Sequence, residues 1–158
     1  MTPQMETIGS FAVLGVVDSI RRGFESPELF ARIWKTFESH QERIQPVATS
    51  KVYYGVTFPT ADMNVAEYLA GMEVPAATPW PSGLEVRSIP GGAYAVFECS
   101  VDAIGGTYQR VFSTWLPSAT VQFDSGRPSF EQYPENVAEK LVRLHIPVRE
   151  KPGERRAD

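Results

Sequence analysis

The chain has 158 residues, of which 42% are hydrophobic and 22% are charged, a balance typical of a compact folded protein. This composition excludes a chain that is disordered throughout. The formal net charge of −4 and an isoelectric point near 5.3 argue against direct binding to nucleic acid.

The first half of the chain predicts a strand, a helix and two further strands. Residues 11–20 are mostly apolar and form the first strand. Ser26 and Pro27 are a favourable cap and first residue of a helix. Apolar side chains follow at helical spacing: Leu29, Phe30, Ile33, Trp34 and Phe37. Two β-rich segments, 51–58 and 67–74, complete this half.

A segment rich in proline and small residues, 75–83, predicts a linker between the two halves. Trp80 within it has two interpretations. It is either a hydrophobic side chain that holds the loop to the body of the protein or part of a lid over a pocket.

The second half repeats the first. Residues 94–104 align with residues 11–20 when one extra residue, Ser100, is allowed. Apolar side chains again follow at helical spacing, before a proline that closes the helix: Tyr108, Val111, Phe112, Trp115, Leu116 and then Pro117. Two β-rich segments, 129–133 and 141–148, complete the copy.

The repeat indicates two related modules, residues 7–74 and 84–148, within a single domain over residues 1–158. Each module is predicted to run strand, helix, strand, strand. Two similar units packed side by side leave a seam, which is a common place for a small-molecule pocket. The charged tail, residues 149–158, is expected to fray.

The acidic residue of interest is Glu131. Alternation along residues 129–133 places Glu131 and Tyr133 on one face of a short apolar strand. A desolvated carboxylate is paired, protonated or able to meet a cationic ligand. The repeat makes Tyr54 the counterpart of Glu131, so that the two would flank the seam from opposite sides. The other interpretation of Glu131 is a charge on an edge strand that faces water.

Motifs for catalysis, metals or cofactors are scarce. The chain has no phosphate-binding glycine loop and no nucleophile elbow. Cys99 is the single cysteine, and His40 and His145 are the two histidines, so there is no intramolecular disulfide and no zinc-type spacing. We therefore expect no metal and no cofactor. No apolar run approaches the roughly 20 residues of a membrane span and no secretory signal begins the chain, which predicts a cytoplasmic protein without a membrane partner.

Six strings occur in an order that resembles the GyrI-like small-molecule-binding family: residues 54–56, 68–74, 83–97, 115–117, 130–134 and 146–148. This family includes the bacterial gyrase-inhibitory protein and the effector-binding domains of multidrug-responsive transcription regulators. The resemblance extends from about Thr7 to Val148. It implies an α+β fold of two strand-helix-strand-strand modules related by a pseudo-two-fold axis. An antiparallel sheet would carry two packed helices and a ligand channel at the seam.

The resemblance implies that Glu131 meets the positive charge of lipophilic cations in an aromatic pocket. The expected ligand-binding residues are Glu131, Tyr54, Tyr68, Tyr108, Trp115, Tyr133 and His145. Trp34, the counterpart of Trp115 in the first helix, is an alternative to it. Arg143 and His145 depart from the family pattern, which has an acidic residue and then an aromatic one there. Arg143 therefore either points away from the pocket or changes the ligand preference.

The function implied is that of a stand-alone effector-binding or sequestering protein for amphipathic, cationic small molecules, without enzymatic activity. The first strand begins within ten residues of Met1, so we expect no DNA-binding segment before it. Single-domain members of the family also occur on integron cassettes, and the resemblance to them implies a role in resistance. One alternative is a hydrolase of strained electrophilic molecules that uses Glu131 with Tyr54 or Tyr133. Another is a protein that restrains gyrase, and a protein partner or a homodimer also stays open.

Overall fold

The computed structural model describes residues 1–136 and 140–152. These residues form an antiparallel sheet of nine strands with two helical segments packed on one face. The strands are β1 (Gln4–Ile8), β2 (Phe11–Arg21), β3 (Tyr53–Pro59), β4 (Val65–Val74), β5 (Glu85–Ile89), β6 (Gly92–Cys99), β7 (Val121–Phe123), β8 (Ser129–Tyr133) and β9 (Val142–Glu150). The predicted α+β class, with an antiparallel sheet and two packed helices, is confirmed.

The first helix, α1 (Pro27–Ile44), begins where the sequence predicts. The Ser26 side chain accepts a hydrogen bond from the backbone N–H of Leu29 at 3.2 Å, and so satisfies one of the free N–H groups of the first turn. The apolar stripe of α1 is buried against β2 and β4 through Ile33, Phe37 and Ile44. Burial of this stripe holds α1 on the sheet.

The second helical segment starts earlier than its apolar pattern suggests. A short 3₁₀ turn (Val101–Ala103) leads into α2 (Ile104–Arg110), which continues through π-helical residues Val111–Trp115 and ends in a last turn, Leu116–Ser118. A π-turn holds more residues than an α-turn, so it rotates the side chains that follow relative to a regular helix. The i, i+3, i+4 pattern therefore finds the helix but not its local geometry.

The strand order in the sheet is β1-β6-β9-β8-β3-β4-β2-β5, and β7 pairs with β9. The two modules join at the β3–β8 pair in the centre. Strands β1 and β5 are exchanged: β1 precedes the first module but pairs with β6 of the second, and β5 pairs with β2 of the first. The sequence does not predict β1, β5 and β7, because β1 and β5 alternate weakly and β7 is only three residues long.

Trp80 and the start of the tail differ from the expectations. Trp80 is 57% exposed and does not line the cavity described below, so it neither holds the loop to the core nor closes a pocket. The tail does not begin at residue 149, because β9 extends to Glu150 and pairs there with β7. Residues 153–158 of the predicted tail lie outside the described residues. Among the helices that the structure describes, none is long and apolar enough to cross a membrane.

Candidate functional site

A cavity of about 1000 Å³ lies over the centre of the sheet, between α1 and the second helical segment. Strands β3, β4 and β8 contribute to its floor, and the two helical segments contribute to its walls. The cavity therefore lies at the seam between the modules. Seven of its lining side chains are aromatic: Phe30, Trp34, Tyr68, Tyr108, Phe112, Phe123 and Tyr133.

Glu131 lies at the floor of this cavity and is 6% exposed. Three tyrosine hydroxyls donate hydrogen bonds to its carboxylate. Tyr68 and Tyr133 donate to Oε1, each at 3.3 Å, and Tyr108 donates to Oε2 at 2.6 Å. The donors come from β4, β8 and α2, so the carboxylate is held by both modules. The interpretation of Glu131 as an edge-strand charge facing water is wrong, because β8 is a central strand.

Burial raises the pKa of Glu131 to about 7, because desolvation disfavours the charged form, while the three tyrosine hydrogen bonds act in the opposite direction. The same burial and the neighbouring carboxylate raise the pKa of Tyr68 and Tyr108 well above the ordinary value. These hydroxyls therefore stay protonated and remain donors. Within residues 1–136 and 140–152, no lysine, arginine or histidine forms an ion pair with Glu131.

Gly55 makes this arrangement sterically possible. It lies directly opposite Glu131 in the β3–β8 pair. A Cβ atom at Gly55 would lie 2.0 Å from the Tyr68 hydroxyl oxygen and 3.0 Å from Glu131 Oε1. Gly55 is not among the site residues predicted from the sequence. A glycine inside a strand often marks a close approach by another group, and that signal was present.

Trp34 supports the tyrosine that contacts Glu131. Its indole Nε1 donates a hydrogen bond to the Tyr68 hydroxyl at 3.1 Å. Its ring also meets Tyr133 edge-on, with 5.4 Å between ring centroids. Because the Tyr68 hydroxyl accepts from Trp34 and donates to Glu131, its orientation is constrained from both sides. Trp34, named as the alternative to Trp115, is the tryptophan that lines the cavity.

Tyr54 does not lie at the seam cavity, which corrects one prediction. Successive side chains alternate between faces, and the residue opposite Glu131 is Gly55, so Tyr54 points to the other face of the sheet. There its hydroxyl donates to Glu73 at 3.4 Å and accepts from Gln132 at 3.2 Å. The match between the two copies was displaced by one residue, which inverts the face.

His145 and Trp115 also lie elsewhere, against prediction. His145 stacks on Phe130 on the other face, with ring centroids 4.2 Å apart, and burial lowers its pKa to about 4. Trp115 packs edge-on against Phe97 beneath the second helical segment, with 5.2 Å between centroids. The π-turn that contains Trp115 changes which side chains face the cavity.

The position of Arg143 resolves the alternatives that the family pattern left open. Arg143 lies opposite Gln132 in the β8–β9 pair, on the face away from Glu131. It forms an ion pair with Glu6 of β1. The positive charge is thus separated from the cavity by the sheet.

Four of the predicted site residues therefore lie together in the cavity: Glu131, Tyr68, Tyr108 and Tyr133. The cavity is also lined by Phe30, Phe112 and Phe123, which are not among the predicted site residues. Phe30 and Phe112 were both in the predicted apolar stripes, but a stripe does not distinguish core packing from cavity lining. Within the described ranges, no three His, Cys, Asp or Glu side chains are grouped so that they could hold a metal ion.

Comparison with known proteins adds the family and the fold. The model of a family described as "Cass2: Integron-associated effector binding protein" matches residues 4–148. No curated protein sequence matches the chain.

Among solved structures, SAV2435 bound to tetraphenylphosphonium is 15% identical with a TM-score of 0.76, and the match covers 94% of each chain. The integron cassette protein VCH_CASS2, from the mobile metagenome of Vibrio cholerae, is 19% identical with a TM-score of 0.65 over 94% of this chain and 96% of that one. A hydrolase encoded by lin2189 from Listeria innocua is 10% identical with a TM-score of 0.53 over 94% and 92%. At these identities the likeness shows a shared fold.

Proposed function

Because the chain belongs to the Cass2 family of integron-associated effector-binding proteins, we propose that it binds amphipathic organic cations in the seam cavity without covalent chemistry. The observation that carries the proposal is Glu131: a buried carboxylate, held by three tyrosine hydroxyls in an aromatic cavity, that makes no ion pair with any described residue. The positive charge that such a carboxylate lacks is supplied by the ligand.

The energetics favour a delocalised cation. An ionised carboxylate in a desolvated site is costly, and a pKa of about 7 means that Glu131 can become charged near neutral pH. A large organic cation gives up little hydration on entering the cavity, and aromatic faces attract it by ~0.5–2 kcal/mol each. A wide apolar cavity with one fixed negative charge selects for charge and approximate shape rather than for one compound.

The hydrogen bonds at Glu131 narrow the ligand class further. Oε1 already accepts from Tyr68 and Tyr133, and Oε2 accepts from Tyr108. Since each carboxylate oxygen has about two acceptor positions, at most about one remains free. We therefore expect cations with few N–H donors, such as quaternary ammonium and phosphonium ions, to bind better than primary amines. The structurally similar SAV2435, which was solved with tetraphenylphosphonium, supports this class.

Titration of tryptophan fluorescence tests the proposal, because Trp34 lines the cavity. Wild type and Glu131→Gln are titrated with tetraphenylphosphonium and with neutral triphenylphosphine oxide. For the cation alone, the variant is expected to lose ~1.5–3 kcal/mol, the value of a charge-assisted contact. The exposed Glu42→Gln serves as the charge control and should bind like wild type. Equal losses for both compounds, or no loss, would reject the role of Glu131.

A second candidate is hydrolysis of a strained electrophilic ring, for which Glu131 and Tyr133 carry the case. The ionised Glu131 carboxylate can accept a proton from a water molecule that attacks the ring carbon as the ring C–O bond breaks. The Tyr133 hydroxyl, 3.3 Å from Glu131, can donate a proton to the released oxygen and regain one from the protonated Glu131. The fold shared with the Listeria innocua hydrolase favours testing it. The test is to incubate wild type and Glu131→Gln with an aryl epoxide and measure the product. Product from the wild type but not from the variant would establish turnover. If the epoxide stays unchanged, binding remains the function.

A further inference from the structure

A second cavity of about 410 Å³ adjoins the first. The two cavities share three lining residues: Trp34 from α1, Val101 from the 3₁₀ turn and Tyr133 from β8. These three residues stand at the boundary between the two spaces. The second cavity thus continues the seam beyond the part that contains Glu131.

The walls of the second cavity are aromatic. Trp34, Phe37, Tyr53 and Tyr133 all line it. Their rings form a connected series of edge contacts, with centroid separations of 5.4 Å for Trp34–Tyr133, 5.5 Å for Trp34–Phe37 and 5.8 Å for Phe37–Tyr53. Such a surface can hold either an apolar group or a cation, because ring faces attract positive charge.

The charge around the second cavity distinguishes these two possibilities. Its lining includes two carboxylates, Glu38 and Glu135, and among the described residues that line it none is basic. Lys51 contacts Glu135 at 3.6 Å, but both side chains are largely exposed, so this pair leaves the carboxylate accessible. Aromatic walls with two acidic rim residues favour a positively charged group over a neutral one.

We propose that the second cavity is an extension site for the distal cationic group of elongated dications. The inference rests on the proposed function: one positive group lies beside Glu131, the linker passes between Val101 and the Trp34–Tyr133 contact, and the other group lies against Tyr53. Val101 is 49% exposed on a short turn, so few packing contacts oppose a small displacement that widens the passage.

A series of paired quaternary ions tests the proposal by isothermal titration calorimetry. Alkanes with a trimethylammonium group at both ends are compared with alkanes of the same length that carry one such group. At the chain length that spans the two cavities, the dication is expected to bind ~5–20-fold tighter than the monocation, because a second aromatic and acidic contact is added. Two identical ends alone account for roughly twofold.

Variants identify the residues that give the dication its higher affinity. Glu38→Gln combined with Glu135→Gln is expected to reduce the advantage of the dication to ~2–3-fold, since the charges near the distal group are lost, while the monocation binds as in wild type. Glu42→Gln, one turn further along α1 and outside both cavities, removes one charge and should leave the advantage intact. Urea denaturation of each variant confirms that it is folded.

The outcomes separate this inference from the proposed function. The inference is overturned if no chain length gives the dication more than the twofold advantage, or if the advantage persists in the double variant. The proposed function fails in a different way: the monocation does not bind, or Glu131→Gln leaves its affinity unchanged. That result would show that no cation lies beside Glu131, and the extension site for dications would then also be rejected.

Discussion

Glu131 is subject to two opposing effects. Burial disfavours its charge, while the hydroxyls of Tyr68, Tyr108 and Tyr133 favour it. The result is a carboxyl that titrates near neutral pH in the absence of any cation. Glu131 makes no ion pair with any described residue, so a cationic ligand can form this favourable interaction when it binds.

Cation binding should depend on pH through Glu131. The cation favours the carboxylate form, and the pKa of the free protein is about 7. Affinity for tetraphenylphosphonium is therefore expected to level off above pH 8 and to fall by about tenfold per pH unit below 6. Fluorescence titration from pH 5.5 to 8.5 measures the profile. Glu131→Gln should give a flat profile, and a wild type that is equally flat would contradict the assignment.

The same burial should cost stability. The pKa of Glu131 is about 7 in the folded chain against an ordinary 4.5, so the folded state holds the proton more tightly. This tighter proton binding stabilises the folded state fully at pH values below the unfolded pKa of 4.5. The stabilisation is lost as the pH rises through the folded pKa of about 7, so that the buried charge costs stability above it. Glu131→Gln should therefore raise the free energy of unfolding, by about 2 kcal/mol more at pH 8 than at pH 5.5. Urea denaturation at the two pH values tests this, and an equal change at both would refute it.

Gly55→Ala should disturb the site through sterics alone. The added methyl group would lie 2.0 Å from the Tyr68 hydroxyl, which must move away from Glu131. We expect a loss of about 1–3 kcal/mol in unfolding free energy and weaker cation binding, as for other insertions into packed regions. Gly9→Ala is the matched control, because nothing lies within 4 Å of a Cβ at Gly9. Similar losses in both variants would show that the effect is not specific to the site.

At the scale of elements, the site depends on two helical segments that act as walls over one sheet. Each is held mainly by burial of one apolar face, α1 against β2 and β4 and the second segment against β6 and β9. The segments differ in how they begin. A side-chain cap starts α1, whereas no side-chain hydrogen bond caps α2.

Ser26→Ala should weaken the start of α1. It removes the acceptor for the Leu29 N–H, and loss of such a cap costs about 0.5–2 kcal/mol. The midpoint of urea denaturation should fall accordingly. Ser39→Ala, in the exposed middle of α1, provides the comparison, because its hydroxyl bonds only to the Thr36 carbonyl within the helix. If Ser39→Ala costs as much as Ser26→Ala, the cap is not what stabilises the first turn.

At the scale of the whole molecule, the exchanged strands bind the modules together. Strand β1 covers the edge of β6, and Glu6 of β1 pairs with Arg143 of β9. Strand β5 covers β2 at the other edge of the sheet. The seam therefore does not depend on the β3–β8 pair alone, and the cavity above it rests on a continuous floor.

Deletion of residues 1–8 should destabilise the protein and promote self-association. It uncovers the backbone N–H and C=O groups of β6, and an uncovered edge is a template for pairing with another chain. Light scattering after size-exclusion chromatography measures the oligomeric state, and urea denaturation measures the stability. A monomer with an unchanged denaturation midpoint would show that β1 is dispensable.

Features that depend on neighbours along the chain could be predicted from the sequence. The cap at Ser26 and the stripe after it located α1, alternation located β8 and placed Glu131 and Tyr133 on one face, and self-similarity revealed two modules. Each of these follows from local geometry, a period of 3.6 or of 2 residues, which a single segment carries in its own residues.

Features that depend on pairing between distant segments became visible only in the folded chain. The register of β3 against β8 brought Gly55, not Tyr54, opposite Glu131, and a shift of one residue inverts every side chain. Packing of the helical segments places Trp34, and not Trp115, in the cavity wall. Strand pairing joins β1 to β6 of the second module and β5 to β2 of the first. Register and packing are set by contacts between residues far apart in the chain, and no local period encodes such contacts.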